Sequence, residues 1–320
     1  MGKDKATKDG YLSGMAYDDA FRTMETECDE ILLEYVNYAF GENYGKDAKI
    51  THLRNEQFTE HRNGKRKKRI TDSHFEIQQN GIAKRYHLEC ESKPYDDKIL
   101  VRIFEYDTQI AMSNAISDNT SYHVRFPSSG LLLLRGTDKV SDKITITIET
   151  PNGMISYNVS VVKVSDFTIE EIFEKKLYML IPFYIFNYEK ELDEINSDEE
   201  KIEALAKIYN GIFEKLLKLQ KEGTLSSLSY DVILMMSGTV INKLAKGRLE
   251  IKNKVGVHMG GKVLDLPIIR EYKEARAQGL EQGLEQGLEQ GLAQGDAQRK
   301  LLEEEITRLR RENEELKRGK

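Results

Sequence analysis

Two carboxylates set opposite each other on a β-hairpin can hold a divalent cation, and Asp72 and Glu89 are such a pair. Between them lies Gln79-Asn80-Gly81-Ile82. An Asn-Gly dipeptide between two strand-like runs is a strong signal for a two-residue type I′ turn. With Asn80-Gly81 as the loop, Phe75 faces Tyr86, Ser73 faces Leu88 and Thr71 faces Cys90, on a largely apolar face that meets a core. The opposite face pairs Glu76 with Arg85, His74 with His87 and Asp72 with Glu89. Asp72 and Glu89 then form a non-hydrogen-bonded pair, with Cα atoms ~4.5 Å apart. Like charges opposed on one sheet face are destabilising, so the pair requires a cation. Mg²⁺, an oxygen-seeking ion that stays partly hydrated, fits that need. Two other readings of this face stay open. It is solvated, with both acids in water, or His74 and His87 join Asp72 and Glu89 around zinc. A one-residue slip of register would exchange the two faces.

Glu91 and Lys93 continue the Glu89 face at period two. Upstream, Arg62, Lys65, Arg66, Lys67, Lys68 and Arg69 surround a second turn signal, Asn63-Gly64, and lead into Asp72. At ~3.3 Å per residue Arg69 lies about 10 Å from Asp72. Such a patch can track the phosphates of DNA; the plainer reading is a solubilising hairpin tip. Downstream, Arg102, Tyr106 and Gln109 stand at helical spacing. Arg102 can reach phosphate or the carboxylates, and Tyr106 or Gln109 can support them. The plainer reading is surface for Arg102 and Gln109, and core for Tyr106. No helix-turn-helix or zinc-finger pattern is visible.

The elements that must position these residues follow from hydrophobic periodicity. Residues 17–41 read as one helix through Phe21, Met24, Cys28, Ile31, Leu32, Tyr35 and Val36, with Gly41 at its end. Residues 48–60 are extended. Strands run from Lys65 to Ile77 and from Ala83 to Glu91. A helix follows over 97–114, with Ile99, Ile103, Tyr106, Ile110 and Ala111 on one face. Gly130-Leu-Leu-Leu-Leu-Arg135 is a strand buried on both faces. Lys143–Glu149 and Met154–Val164 form a hairpin around Pro151-Asn152-Gly153. From Thr168 to about Val255 the pattern is helical. The class is α/β, with meandering strands in the first half and helices in the second.

Composition sets the outer limits. The chain has 320 residues, 39% hydrophobic and 32% charged, and 48 basic against 54 acidic residues give a net charge of −6. This excludes a uniformly basic nucleic-acid coat. It permits a local basic patch, because charge acts within about a Debye length, ~10 Å. Cys28 and Cys90 cannot build a disulfide framework. The apolar stretch Leu177–Phe186, interrupted by Pro182, is well short of the ~20 residues a membrane span needs. A cytoplasmic, reduced protein with no membrane partner is expected, nucleoid-associated when bound to DNA.

The last fifty residues hold two patterns. Gln278-Gly279-Leu280 is followed by Glu-Gln-Gly-Leu three times and then Ala293-Gln294-Gly295. Leucines at every fourth position drift ~40° per unit on a 3.6-residue helix, and each glycine costs a helix about 1 kcal/mol against Ala. A marginal helix or a flexible tether follows. Leu302, Ile306, Leu309, Asn313 and Leu316 fit d-a-d-a-d of a heptad. Asn at an a position favours a parallel, in-register dimer; the alternative is a solvated single helix.

Asp72 followed, after the turn, by Glu89-Cys90-Glu91-Ser92-Lys93 resembles the PD-(D/E)XK nuclease superfamily. More narrowly, the chain resembles the Rpn family of recombination-promoting nucleases and putative transposases. Tyr17-Asp18-Asp19-Ala20-Phe21, Ile70-Thr71-Asp72-Ser73, His87-Leu88-Glu89-Cys90-Glu91-Ser92 and Arg102-Ile103-Phe104-Glu105-Tyr106-Asp107 carry the likeness. So do the apolar strand ending at Arg135-Gly136 and the glycine-containing repeats of the tail.

The resemblance implies a PD-(D/E)XK-type mixed sheet flanked by helices, a helical C-terminal half and a terminal coiled coil. Together with the patterns above, it divides the chain into a disordered 1–14, a nuclease-like domain over 15–166, a helical extension over 167–270, a tether over 271–296 and a short coil over 297–320. It also implies Mg²⁺-dependent DNA endonuclease chemistry. Asp72, Glu89 and Asp18 match the metal-binding acids, and Asp72, Glu89, Glu91 and Lys93 make up the catalytic set. Position 91 is Lys in the superfamily and commonly Gln in the family, and here it is a third carboxylate. Either Glu91 is a further ligand or general base with Lys93 supplying the cation, or the chain binds DNA and partner chains without cleaving. The partners implied are DNA and a second copy of the chain.

Overall fold

The computed structural model describes residues 4–53, 56–60, 66–70, 73–137 and 139–255, the side chains of 4–15, 56–60 and 66–70 excepted. All of these belong to one compact unit spanning Met1–Val263. Asp72, Arg62, Lys65, the repeats and the heptads lie outside the described residues.

The first apolar stripe folds as two helices, α1 (Asp4–Glu27) and α2 (Asp29–Phe40), rather than one. The break falls at Cys28, with φ −126 and ψ 65, where no Gly or Pro marks it. The stripe nonetheless stays buried across it, from Phe21 to Val36. At the end of α2, Gly41 adopts the left-handed conformation, φ 65, that closes helices cheaply only with glycine.

Strands follow: β1 (Lys49–His52), β2 (Glu56–Glu60), β3 (Arg66–Ile70), β4 (Ser73–Gln79) and β5 (Ile82–Glu91). After helix α3 (Lys98–Ser113) come β6 (Ile116–Ser117), β7 (Tyr122–His123), β8 (Ser128–Leu133), β9 (Lys143–Thr150) and β10 (Gly153–Lys163). The β4–β5 register is the one the Asn-Gly turn predicts, with Ser73 opposite Leu88, His74 opposite His87 and Glu76 opposite Arg85. Asn80 and Gly81 both have positive φ, 52 and 77, as a type I′ turn requires. The β2–β3 ribbon differs. Glu60 pairs with Arg66, one residue off the register of a two-residue Asn63-Gly64 loop.

Six strands form a mixed sheet in the order β1-β4-β5-β8-β10-β9. Neighbours β5, β8 and β10 are parallel and the outer pairs antiparallel. Parallel neighbours need a crossover, and the one from β5 to β8 runs through α3. That crossover lays Ile99 and Ile103 of α3 on Leu131, Leu133, Val159 and Val161. The other sheet face meets α2, where Phe40 lies against Tyr86. There Gly130 leaves room that a Cβ would take from Leu88, 2.8 Å away, and Phe40, 3.0 Å away.

The second half is helical, as its spacing predicts: α4 (Ile169–Glu174), a 3-10 segment (Tyr178–Glu191), α5 (Leu192–Ser197), α6 (Glu199–Lys221), α7 (Ser227–Leu244) and α8 (Leu249–Ile251). The apolar run around Pro182 is the buried 3-10 segment. No helix among the described residues is long and apolar enough to cross a membrane.

Candidate functional site

Strand alternation aims His87, Glu89 and Glu91 of β5 at α3, whose Arg102 and Asp107 meet them. His87 is fully buried. Its Nδ1 lies 2.7 Å from Asp107 Oδ1 and its Nε2 3.1 Å from Glu89 Oε1. Burial pulls the imidazole pKa down, but the hydrogen bonds to Asp107 and Glu89 outweigh it and hold the pKa up at about 9. At neutral pH the ring is therefore an imidazolium that donates from both nitrogens. Asp107 also accepts from Ser129 Oγ, 2.7 Å, and Tyr157 OH, 2.8 Å. It thus ties β5, β8 and β10 together under α3. The Tyr106 ring stands edge-on to His87.

Glu89, 2% exposed, is held at its other oxygen by Arg102, whose Nε and Nη2 both lie 3.0 Å from Oε2. Arg102 Nη2 also reaches Glu91 Oε2 at 3.3 Å. Glu91 Oε1 accepts the Lys93 backbone N–H at 2.9 Å. Asp18 of α1 belongs to the same electrostatic neighbourhood. Burial raises its carboxyl pKa, Arg22 lowers it, Glu91 and Asp19 raise it and Arg102 lowers it, leaving it up at about 6. Glu89, Glu91 and Arg102 therefore meet where the central strand ends, and Asp18 feels the charges of Glu91 and Arg102.

Other residues singled out in the sequence sit elsewhere. Lys93 lies past the end of β5, exposed and next to Pro94, so the period-two extrapolation stops at Glu91. Arg66, Lys67, Lys68 and Arg69 are consecutive on β3, their side chains outside the described set. Gln109 is half-buried, and its Oε1 has no hydrogen-bond partner among the described residues.

The solvated reading is corrected at Glu89, which α3 covers together with His87; Asp72 lies outside the described residues. Both ring nitrogens of His87 are taken by Asp107 and Glu89. Sequence reasoning missed Asp107, Ser129 and Tyr157. Asp107 carried a signal: an aspartate among Ile103, Tyr106 and Ile110 on a buried helix face must find partners.

Among the described residues, no group of three or more His, Cys, Asp or Glu side chains is arranged to hold a metal ion. The donors that do converge are all carboxylate oxygens, which suit a hard cation. Comparison with protein-family models, with curated proteins and with solved structures returns no match.

Proposed function

We propose that this chain is a Mg²⁺-dependent DNA endonuclease, similar in fold to PD-(D/E)XK enzymes and in organisation to the Rpn recombination-promoting nucleases and putative transposases. The observation that carries the reading is the pair Glu89 and Glu91 held on a single guanidinium at the end of β5. The β4–β5 ladder runs to Ser73 opposite Leu88, and the reading continues it by one pair, Asp72 beside Glu89. The donors offered, Glu89 and Glu91, are carboxylate oxygens, the donor type that a hard divalent cation takes.

In this reading Asp72, Glu89 and Asp18 hold the ion, which when bound polarises the scissile phosphate and acidifies a water. His87 holds Glu89 Oε1 in place and Asp107 holds His87. Glu91 takes a proton from the attacking water or completes the ligand set. Lys93 is the cation beside the site, and Arg62, Lys65, Arg66, Lys67, Lys68, Arg69 and Arg102 contact the DNA backbone. The heptads over 297–320 join two copies.

A second reading has its own support. Glu91 stands where the nucleases that the chain resembles have Lys or Gln, and Arg102 already pairs with both glutamates, as in a chain that binds DNA without cutting it. Supercoiled-plasmid nicking with Mg²⁺ separates the two. Wild type should nick, and D72A and E89A should lose about 100-fold or more, the scale of removing a principal electrostatic group. Nicking that survives both substitutions would sink the site. Salt-sensitive DNA binding without nicking would favour the second reading, and E91Q that nicks faster than wild type would mark the natural glutamate as a handicap.

A further inference from the structure

We infer that β9 is a self-association surface: its outer edge pairs antiparallel with β9 of a second copy, joining the two six-stranded sheets into one. β9 ends the sheet, and among the described residues no strand pairs with its outer side. An edge strand presents a row of backbone N–H and C=O groups that another strand can take, and edges that stay single are short, charged, or interrupted by proline or a bulge. The two edges of this sheet differ in that respect. β1 has four residues, begins with Lys49 and ends with His52, whose ring lies between Glu25 and Asp29. β9 has eight residues, with no proline or glycine among them and no charge between Lys143 and Glu149.

The order of residues along β9 selects the partner. In an antiparallel pair centred on Ile146, Lys143 stands opposite Glu149 of the second copy, Ile144 opposite Ile148, Thr145 opposite Thr147 and Ile146 opposite itself. Opposite charges meet at both ends and like side chains meet between them, and such cross-strand pairs are favourable. Sliding the pair by two residues sets Lys143 opposite Thr147 or Pro151 instead, and a one-residue slip sets isoleucine opposite threonine. Lys143 and Glu149 are exposed, and neither has an ion pair among the described residues. The strand thus carries the complement of its own charge pattern.

The two faces of β9 suit the same continuation. Ile144 and Ile146, with Tyr157, pack half-buried against the cluster around Ile99 and Ile103, and alternation puts Ile148 on that face. Thr145 and Thr147, on the other face, bond Asn158 and Ser156 of β10. A twofold axis through Ile146, perpendicular to the sheet, keeps isoleucine beside isoleucine and threonine beside threonine, the self-complementary contact of a closed dimer. The apolar stripe that stops at β9 in one copy runs on into the second, which covers isoleucines that a single copy leaves part-exposed. The two β5 strands then run in opposite directions, so the two candidate sites lie toward opposite ends of the joined sheet.

This pairing is separate from the heptads over 297–320, which every variant below keeps. Sedimentation equilibrium of the full chain, together with hydrogen exchange of β9 followed by mass spectrometry on dilution, tests it. K143E and E149K each set like charges opposite one another at both ends of the pair. Each should self-associate about tenfold more weakly than wild type, with faster exchange over 143–150. An equimolar mixture of K143E and E149K should recover the wild-type affinity and protection, because in the mixed pair every charge again faces its opposite. The double variant K143E/E149K should recover them alone. If a single variant does not fold, β9 protection in wild type that falls on dilution supports the pairing, and protection independent of concentration overturns it. Wild type and both single variants associating equally overturns the pairing and leaves the heptad dimer standing. Weakened single variants that neither the mixture nor the double variant restores overturn the register, and with it the second copy as the occupant of this edge. Wild type that stays monomeric at every concentration overturns both contacts.

Discussion

His52 and His87 lie on opposite faces of the sheet, and each stands between two carboxylates. His52, on the edge strand β1, has Nδ1 2.9 Å from Glu25 Oε1 and Nε2 3.1 Å from Asp29 Oδ1. His87, on the central strand β5, makes the same pair of contacts with Asp107 and Glu89 at 2.7 and 3.1 Å. The surroundings differ. His52 is 30% exposed and Asp29 58%, with only Glu25 buried, whereas all three groups of the His87 trio are buried. Hydrogen bonds that the ring donates to Asp29 and Glu25 raise the His52 pKa to about 10 against the lowering effect of burial. His87 reaches about 9 only after overcoming its own burial. One trio closes the α1–α2 corner onto a sheet edge. The other ends in Glu89, whose second oxygen meets Arg102 at the candidate site. A carboxylate–imidazolium–carboxylate arrangement is therefore not in itself a mark of chemistry; what lies beyond the last carboxylate distinguishes the two.

The largest expected effect is at His87. H87L takes the one cation from buried Asp107 and one of two from Glu89, and removing one partner of a buried ionic group costs about 3–5 kcal/mol. Urea unfolding should show that loss, and a change below about 1 kcal/mol would mean that the trio is not held as described. H52Q should cost about 1–2 kcal/mol, because the buried Glu25 exchanges a charged donor for at best a neutral amide. The same pair sets a pH dependence. Both imidazoles bind their proton more tightly in the folded state than in the unfolded chain, where the pKa is ~6.5. Their stabilisation is thus complete below about pH 6.5. It declines above that and is lost as pH passes about 9 for His87 and about 10 for His52. Urea midpoints from pH 6 to 10 should fall less steeply in H52Q than in wild type; parallel profiles would remove His52 from the account. The smallest effect is at Y157F, which deletes one of three donors to Asp107 and should cost about 1 kcal/mol.

The hairpin at Asn80-Gly81, helix α3 and strand β8 were legible because each has a local cause: a turn that needs positive φ, an apolar stripe at helical spacing, an uninterrupted apolar run. Other features have causes that are not local. Period two assigns His74, His87 and Glu89 to one face but says nothing about what covers that face, and the cover comes from the β5–α3–β8 crossover. Glu89 and Arg102 could be singled out, but not that His87 and Arg102 divide the two oxygens of Glu89 between them. The break at Cys28 and the β2–β3 register leave no residue-type signal, since a tertiary fit selected among conformations that the sequence allows equally well.

The crossover also fixes an order in time. The β4–β5 hairpin joins residues a few positions apart, and closing a short loop is fast. The pairing of β5 with β8, by contrast, must wait for the whole α3 connection to close. Pulse-labelled hydrogen exchange during refolding should therefore protect the Phe75–Tyr86 hairpin amides ahead of those that β5 shares with β8. Simultaneous protection would show instead that hairpin and crossover form in one step. In the expected order, His87 emerges from the hairpin before its acidic partner on α3 has arrived, and the carboxylate cluster is among the last things the chain assembles.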